Sequence, residues 1–230
     1  MAHQFGTDEA GKGPVLGSMF AACVVADPTE LPDGVADSKR LTSQRREELA
    51  HAIRQRARAV GLAEVTVAQI DDPESDMNTL TVDAHADAIL DAHDNHSDEN
   101  GDPVGLAGIP GMLDAGDTSE ERFAERVARR LPYEVDLTAE HRADDSYTIV
   151  AAASIVAKVE RDAHVDRLAH QYVDDYEDIG SGYPSDPDTQ AFLERYVADH
   201  GDLPDCARRS WQTSKQALAD AEQSGLEDYF

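Results

Sequence analysis

Apolar residues recur along almost the whole chain of 230 residues, and their spacing changes between strand-like and helix-like segments. Two apolar runs that end in turn residues, 3–8 and 17–26, predict strands joined by a glycine-rich turn. The alternating segment 62–70 predicts another strand. Helical spacing near 188–199 and 209–223 predicts that the chain ends in helices. Strands first, then strands alternating with helices, then helices alone predict an α/β fold with a mixed central sheet flanked by helices.

The predicted strands and helices alternate in the middle of the chain. Helical spacing predicts helices over about 81–92 and over about 146–172. The segment 133–138 predicts a strand between them. Thr118 and Glu121 have the spacing of a capping box, so we expect a helix to begin there.

Acidic residues outnumber basic ones by 47 to 20, which gives a formal net charge of −27. Lysine occurs only at Lys12, Lys39, Lys158 and Lys215, and the other cations are arginine. In about 1 M salt the Debye length falls to about 3 Å, so self-repulsion is screened and an acidic surface stays soluble. The composition therefore predicts a protein from a halophile.

An acidic balance ordinarily argues against a nucleic acid as the partner. It argues less here, because molar salt screens long-range attraction to phosphate whatever the net charge. Affinity would then come from short-range contacts and from metal bridges. Nucleic acid therefore stays among the possible substrates.

The chain has two cysteines, and they lack the paired spacing of a disulfide framework or a zinc site. Cys23 lies in an apolar run, which predicts a buried, inert thiol. The first residues lack a signal-peptide pattern, and apolar stretches fall short of the 18 residues that suggest a membrane span. We therefore expect a soluble, cytoplasmic protein, without membrane contact and monomeric.

Carboxylates stand where predicted strands end and where a predicted helix begins. Asp8 and Glu9 end the first strand, Asp114 ends a later one, and Asp144 precedes the long helix. Strand ends and helix starts share one edge in α/β folds. Four carboxylates there could bind two divalent ions, Mg²⁺ or Mn²⁺. By spacing alone, the neighbouring acids remain alternative ligands: Asp117 and Asp145.

Six segments in order resemble the archaeal form of ribonuclease HII, which is ribonuclease H type 2. They read "GTDEAGKGPVLGSM", "GVADSKRLT", "MLDAGD", "HRADDSYTIVAAASIVAKVERD", "GSGYPSDPDT" and "RRSWQT". The resemblance runs from about residue 4 to 215. It implies an RNase H-like fold with a helical C-terminal part.

The resemblance also implies an activity. Such a protein would be a metal-dependent endoribonuclease that hydrolyses the RNA strand of RNA/DNA hybrids. It would also cut 5′ to single ribonucleotides in duplex DNA and leave 3′-hydroxyl and 5′-phosphate ends. The residues that the resemblance assigns to catalysis and metal binding are Asp8, Glu9, Asp114 and Asp144.

Substrate contacts are implied in the same way. Gly11, Lys12 and Gly13 resemble the loop whose backbone approaches the ribonucleotide; most members have Arg at the middle position. Tyr183 resembles the tyrosine near the sugar of that nucleotide, where the 2′-hydroxyl distinguishes RNA from DNA. We expect contacts to backbone phosphates from further side chains: Lys39, Arg46, Ser154 and Lys158.

The C-terminal sequence "QSGLEDYF" resembles the motif by which replication proteins dock on the sliding clamp. Its anchors would be Gln223, Leu226, Tyr229 and Phe230. The alternative is a last helix whose aromatics fold back onto the domain. The predicted organisation is a catalytic domain over 1–205 with an acidic insertion at about 93–104, a helical segment over 206–222, and a clamp-docking tail over 223–230.

Two other functions remain open. An RNase H-like, structure-specific DNA nuclease would cleave DNA without ribonucleotides and would not need Tyr183. A non-catalytic, clamp-bound nucleic-acid-binding module would keep the tail but would tolerate Asp8→Asn.

Overall fold

In the computed structural model of the chain, the described residues are 3–36, 41–94 and 105–227, the last four by their backbone alone. They divide into two compact units. The first unit comprises Met1–Ala10, Met19–Glu64 and Met77–Arg161, and the second comprises Gly11–Ser18, Val65–Asp76 and Asp162–Phe230.

A mixed sheet forms the centre of the first unit. Its five strands in the described residues are β1 (Gln4–Ala10), β2 (Met19–Ala26), β3 (Ala59–Val65), β4 (Pro110–Asp114) and β5 (Asp136–Glu140). They lie in the order β3-β2-β1-β4-β5. β1 is antiparallel to β2 and parallel to β4, and β4 is parallel to β5. The predicted α/β fold with a mixed sheet is confirmed.

Helices pack around this sheet. They are α1 (Ser43–Arg56), α3 (Met77–Asp94), α4 (Glu120–Ala128), α5 (Ala143–Ser146) and the first part of α6 (Thr148–Tyr172). Every residue of β2 is buried, and so is the run 149–157 at the start of α6. A Cβ on Gly6 would lie 2.7 Å from the backbone carbon of Ile149, so only glycine allows α6 to lie this close to β1.

The second unit is mainly helical. It contains the loop 11–18, α2 (Val67–Ile70), the rest of α6, α7 (Pro187–His200) and α8 (Gln212–Glu227). α7 begins after Asp186, whose side chain accepts from the Asp188 N–H, and ends at Gly201 in the left-handed conformation. The core of the second unit is apolar and aromatic, with Phe192 and Leu193 buried between elements of this unit.

Several predicted boundaries differ from the structure. β3 ends at Val65, because Thr66 forms a capping box with Gln69 and opens α2; the prediction of a strand to residue 70 is therefore wrong. The cap of α4 is Ser119, which accepts from the Arg122 N–H, so the capping box predicted one residue earlier is also wrong.

The predicted domain limits also differ from the observed units. α8 continues to Glu227, past the predicted limit between 222 and 223. α3 continues to Asp94, and the rest of the predicted insertion, 95–104, lies outside the described residues. Cys23 is buried, as predicted, and burial raises the pKa of its thiol. Within the described part of the chain, none of the helices has the length and apolar character of a membrane span.

Candidate active site

Asp8 and Glu9 are adjacent in β1, but their side chains leave the strand on opposite faces. Successive side chains of a strand alternate between its faces. Gly6, two residues before Asp8, faces α6, whereas Thr7, two residues before Glu9, bonds to His85 on α3. Each carboxylate is therefore held by a different helix.

Asp8 lies against α6 and is 5 % exposed. Burial raises its pKa well above the usual range, and the charges of Glu9 and Asp114 raise it further. A hydrogen bond from Ser154 and the charge of Lys158 act in the opposite direction. Lys158 Nζ in turn donates to Ser154 Oγ over 2.7 Å. Ser154 and Lys158, the pair on α6 that is predicted to contact backbone phosphates, thus lie next to Asp8, a candidate metal ligand.

Glu9 lies against α3. His85 Nε2 is 2.8 Å from Glu9 Oε2, and His85 Nδ1 is 2.7 Å from Thr7 Oγ1. The imidazole is buried and packs edge-on against Phe123, with 5.0 Å between the ring centroids. Sequence reasoning missed His85, since a histidine on the apolar face of a helix gives no signal of its partner.

Asp114 and Asp144 complete the carboxylate cluster. Asp114 ends β4, and its Oδ1 accepts from the Ala143 N–H over 2.8 Å. Burial raises the pKa of Asp114, and the charges of Glu9 and Asp144 add to this effect. Asp144 is buried in the short helix α5. The four predicted carboxylates therefore interact electrostatically at the ends of β1 and β4 and in α5.

Asp117 and Asp145, the alternative ligands, have other partners. Arg122 Nε donates to Asp117 Oδ2 over 3.0 Å, and hydrogen bonds from Arg122 lower the pKa of this carboxyl strongly. Asp145 is exposed and pairs with Arg142 at 2.6 Å. Both alternative ligands are therefore already paired with an arginine.

The donor set of the cluster fits a hard divalent cation. Carboxylate oxygens are the ligands that Mg²⁺ and Mn²⁺ prefer, and buried acids that raise one another's pKa gain most from a nearby positive charge. In the described conformation, no three His, Cys, Asp or Glu side chains converge closely enough to hold an ion. The residues fit in chemical type and charge.

In the second unit, the loop 11–18 is built around a buried arginine. Arg208 is 0 % exposed. Its Nη2, Nη1 and Nε donate to the carbonyl oxygens of Gly11, Lys12 and Gly17 over 2.6, 3.1 and 2.9 Å. Positive φ angles at Gly11 and Gly17, 96° and 80°, allow the loop to turn in this way.

The same contacts fix the direction of the loop's N–H groups. In a trans peptide the N–H points opposite to the preceding carbonyl, and the described chain has no cis peptide bond. Because the carbonyls of Gly11 and Lys12 point to Arg208, the N–H groups of Lys12 and Gly13 point away from it. Trp211 Nε1 donates to the Gly13 carbonyl over 3.2 Å and adds a further contact to the loop.

Asp71 holds the segment that carries Arg208 and Trp211. Its carboxylate accepts from the Arg209 N–H over 2.7 Å and from the Ser210 N–H over 2.9 Å. The sequence predicts no individual role for Asp71, Arg208 or Trp211, because the partners of these residues lie far away along the chain. The "RRSWQT" segment carried only the family resemblance.

Tyr183 lies beside the loop. The N–H groups of Val15 and Leu16 donate to the Gly182 carbonyl over 2.8 and 3.2 Å. A methyl group at Gly13 would lie 3.9 Å from Tyr183 Cε1, and the tyrosine is 41 % exposed. The second unit therefore brings together the predicted residues Gly11, Lys12, Gly13 and Tyr183.

Comparison with known proteins identifies the family. The family described as Ribonuclease HII matches residues 5–214. The chain belongs to the ribonuclease HII family. It is therefore an endoribonuclease, with ribonuclease H activity on RNA/DNA hybrids, and the predicted recognition is confirmed.

Two kinds of relative support this membership. Ribonuclease HII of Halobacterium salinarum is 58 % identical over 226 residues, which cover 98 % of this chain and 99 % of the relative. The crystal structure of ribonuclease H2 from Pyrococcus horikoshii OT3 is similar with a TM-score of 0.81 and 34 % identity, over 96 % of this chain and 99 % of the other. Ribonuclease HII in complex with PCNA from Archaeoglobus fulgidus has a TM-score of 0.75 and 34 % identity, over 91 % and 95 %.

The remaining predicted residues of this ribonuclease HII are distributed as follows. Arg46 lies partly buried on the first turn of α1, and its N–H donates to the Thr42 carbonyl over 2.9 Å. Lys39 lies outside the described residues. Gln223 is exposed on α8, Leu226 is described there by its backbone alone, and Tyr229 and Phe230 are outside the described residues.

Proposed function

We propose that this endoribonuclease acts with two divalent ions, Mg²⁺ or Mn²⁺, held by Asp8, Glu9, Asp114 and Asp144. It would cleave the RNA strand of hybrids, cut 5′ to single ribonucleotides in duplex DNA, and leave 3′-hydroxyl and 5′-phosphate ends. The observation that carries the proposal is the partly buried carboxylate cluster, in which the charge of one acid raises the pKa of another.

The chain's own residues prepare this cluster. When bound, two divalent ions would neutralise the scissile phosphate and lower the pKa of a water nucleophile. Ser154 and Lys158 stabilise ionised Asp8 from the α6 side. The Ala143 N–H bonds to Asp114 and lowers its pKa. These contacts favour the ionised carboxylates that a cation needs as ligands.

Recognition of the ribonucleotide would fall to the loop in the second unit. The N–H groups of Lys12 and Gly13 point away from Arg208, and backbone N–H groups are donors that suit a sugar hydroxyl or a phosphate oxygen. Lys12 supplies a point charge where most members have the planar fork of arginine. Tyr183 would test the sugar, whose 2′-hydroxyl marks RNA. Lys39 and Arg46 would add phosphate contacts.

The test uses duplex DNA with one embedded ribonucleotide, in molar KCl, with and without Mn²⁺. Wild-type protein should cut immediately 5′ to the ribonucleotide only with metal, and Asp8→Asn should abolish the cut. Asp145→Asn is the matched control, because it changes a neighbouring exposed acid and should cut like the wild type. End-labelled products identify the 3′-hydroxyl and 5′-phosphate termini.

Other outcomes separate the alternatives. Cutting of a duplex without ribonucleotides would indicate a structure-specific DNA nuclease. Failure to cut with any metal, by protein shown to be folded in that salt, would favour the clamp-bound binding module. Equal cutting by wild type and Asp8→Asn would refute the carboxylate site.

We also infer that the C-terminal tail docks on the sliding clamp, which would place the enzyme in DNA replication and repair in the cytoplasm. The relative from Archaeoglobus fulgidus was solved in complex with PCNA. α8 extends through Gln223, which is exposed, to Glu227. Such a helix suits a peptide whose anchors enter an apolar pocket.

Deletion of residues 223–230 tests the tail. The truncated protein should lose binding to the sliding clamp in calorimetry, and Tyr229→Ala with Phe230→Ala should lose most of it. Thermal stability serves as the control, because a tail that folds back onto the domain would lower it on deletion. Full clamp binding by the truncated chain would contradict the inference.

A further inference from the structure

His85 has contacts that a purely structural histidine does not need. Its side chain is buried on α3, and both ring nitrogens have polar partners. One partner, Thr7, is itself fully buried in β1. The other is Glu9, one of the carboxylates at the end of that strand. The imidazole therefore connects the interior of the sheet to the cluster.

The chemistry of these partners fixes where the proton lies. An ionised carboxylate only accepts hydrogen bonds. With Glu9 ionised, as binding of a cation requires, His85 Nε2, 2.8 Å from Glu9 Oε2, carries the proton and donates it. Thr7 Oγ1, 2.7 Å from Nδ1, anchors the other side of the ring. Phe123 packs edge-on against the ring and restricts its rotation.

We propose that His85 is the positioning residue of Glu9: its Nε2–H holds Oε2 and so orients the carboxylate towards a divalent ion. The inference rests on the proposed metal site. Oε1, the other carboxylate oxygen, lies 3.5 Å from where a Cβ of Gly116 would stand. A carboxylate fixed in this way loses little rotational freedom when it binds an ion.

Hydrogen-bond partners behind metal ligands commonly contribute about 10–100-fold to metal affinity. The role of His85 therefore predicts an effect on Mn²⁺ binding that exceeds its effect on folding. It also predicts that the effect depends on the Nε2 position. Two amide substitutions separate the ring positions, since Gln places its amide near Nε2 and Asn places its amide near Nδ1.

The experiment measures Mn²⁺ affinity by calorimetry in molar KCl for wild type, His85→Asn and His85→Gln. We expect about a 10–100-fold loss of affinity for His85→Asn, which keeps the contact with Thr7 but leaves Glu9 without its donor. His85→Gln should stay within about threefold of wild type, because the amide still reaches Glu9. Urea unfolding with EDTA should show similar stability for the two variants.

A cycle with Glu9→Gln tests the coupling. In that background His85→Asn should cause no further loss, because the carboxylate that it positions is gone. In activity assays, His85→Asn should need about 10–100-fold more Mn²⁺ for half-maximal rate, and its KM for the nucleic acid at saturating metal should match the wild type.

The results that would overturn the inference are distinct. Suppose that Glu9→Gln weakens Mn²⁺ binding. Wild-type Mn²⁺ affinity in His85→Asn, or equal losses of affinity in His85→Asn and His85→Gln, would then show that His85 has only a structural role in the core. Unchanged affinity in Glu9→Gln would instead refute the metal site and this inference with it. If His85→Asn does not fold, Thr7→Val provides a second test, because it removes the other hydrogen-bond partner of the ring and leaves His85 in place. Thr7→Val should then weaken Mn²⁺ binding. Wild-type Mn²⁺ affinity in Thr7→Val would count against the positioning role of His85.

Discussion

Asp8 and Glu9 lie on opposite faces of β1 but still repel each other, since the charge of Glu9 raises the pKa of Asp8. Their alternation across β1 places α6 behind one and α3 behind the other. Ser154 and Lys158 then reduce the cost of ionising Asp8, but they do not cancel it, and its pKa remains raised. The metal-free site is therefore a local source of instability.

This instability depends on pH. A carboxyl whose pKa is higher in the folded state binds its proton more tightly there, so stability falls as the pH rises above the unfolded value of about 4. Asp8→Asn should therefore be more stable than wild type at pH 8 without metal, by about 1–3 kcal/mol. The difference should shrink as the pH falls towards 5.

Urea unfolding in molar KCl with EDTA, at pH 5 and at pH 8, measures this difference. Asp145→Asn is the control, because that carboxylate is exposed and its substitution should have the same small effect at both pH values. An Asp8→Asn variant less stable than wild type at pH 8 would contradict the prediction.

Substitution of Arg208 should lower stability, which is the opposite of the effect expected for Asp8→Asn. Lysine keeps the charge but cannot donate to the carbonyls of Gly11, Lys12 and Gly17 at once. Each buried carbonyl left without a donor costs about 1–3 kcal/mol. Arg208→Lys should therefore lower the free energy of unfolding by about 2–4 kcal/mol.

The adjacent Arg209→Lys is the matched control. Arg209 forms an exposed ion pair with Asp202 at 2.6 Å, and its substitution should change stability by less than about 0.5 kcal/mol. Urea unfolding at pH 7 compares the two. Equal, small effects would show that the loop does not depend on the buried guanidinium.

The candidate site divides into residues that the sequence predicts and residues that it cannot. Asp8 and Glu9 follow from a strand end, where chain order and alternation suffice. His85 and Glu9 are 76 residues apart, and Arg208 and Gly11 are 197 apart. Such contacts depend on how helices pack, which local periodicity does not encode.

At the scale of elements, the contact between β1 and α6 determines where Ser154 and Lys158 stand. Gly6 makes that contact possible, since a Cβ there would lie 2.7 Å from the Ile149 carbonyl carbon and 2.8 Å from the Val150 nitrogen. Backbone atoms cannot move aside as a flexible side chain can. The helix would have to shift as a whole.

Gly6→Ala should therefore lower the free energy of unfolding by about 1–3 kcal/mol or more. It should also weaken Mn²⁺ binding, because the shift moves Ser154 away from Asp8. Gly105→Ala is the control, since a Cβ there meets nothing within 4 Å. Unfolding curves and Mn²⁺ calorimetry of both variants provide the test, and wild-type values for Gly6→Ala would refute it.

Element types were predicted better than element limits. The strands β1, β2 and β4 follow from apolar runs, but the segment 62–70 continued its alternation past Val65, where Thr66 and Gln69 instead cap α2. The position of β4 between β1 and β5 is a matter of topology, and periodicity carries no information about which strands are neighbours.

At the scale of the whole molecule, a net charge of −27 must be reconciled with a folded chain. The 58 % identical relative comes from Halobacterium salinarum, which agrees with the halophilic composition. Self-repulsion of the acidic surface grows when salt is diluted, because the Debye length increases from about 3 Å at 1 M to about 10 Å at 0.1 M.

The melting temperature should therefore fall by roughly 10 °C or more between molar and 0.1 M KCl, at about 2–4 °C per kcal/mol for a chain of this size. Calorimetric scans across KCl concentrations measure the shift. Sucrose at matched osmolality is the control, because it is excluded from the surface without screening charge. Full thermal stability in dilute buffer would refute the prediction.

The two faces of β1 also bear on how this enzyme could change. Substitutions next to Glu9 on α3 and substitutions next to Asp8 on α6 act on the carboxylates from opposite faces of β1. A library built on α3 can therefore vary the surroundings of one carboxylate while the other keeps its natural support. Laboratory evolution can therefore change the metal preference of the enzyme by varying the residues on one face of β1 at a time.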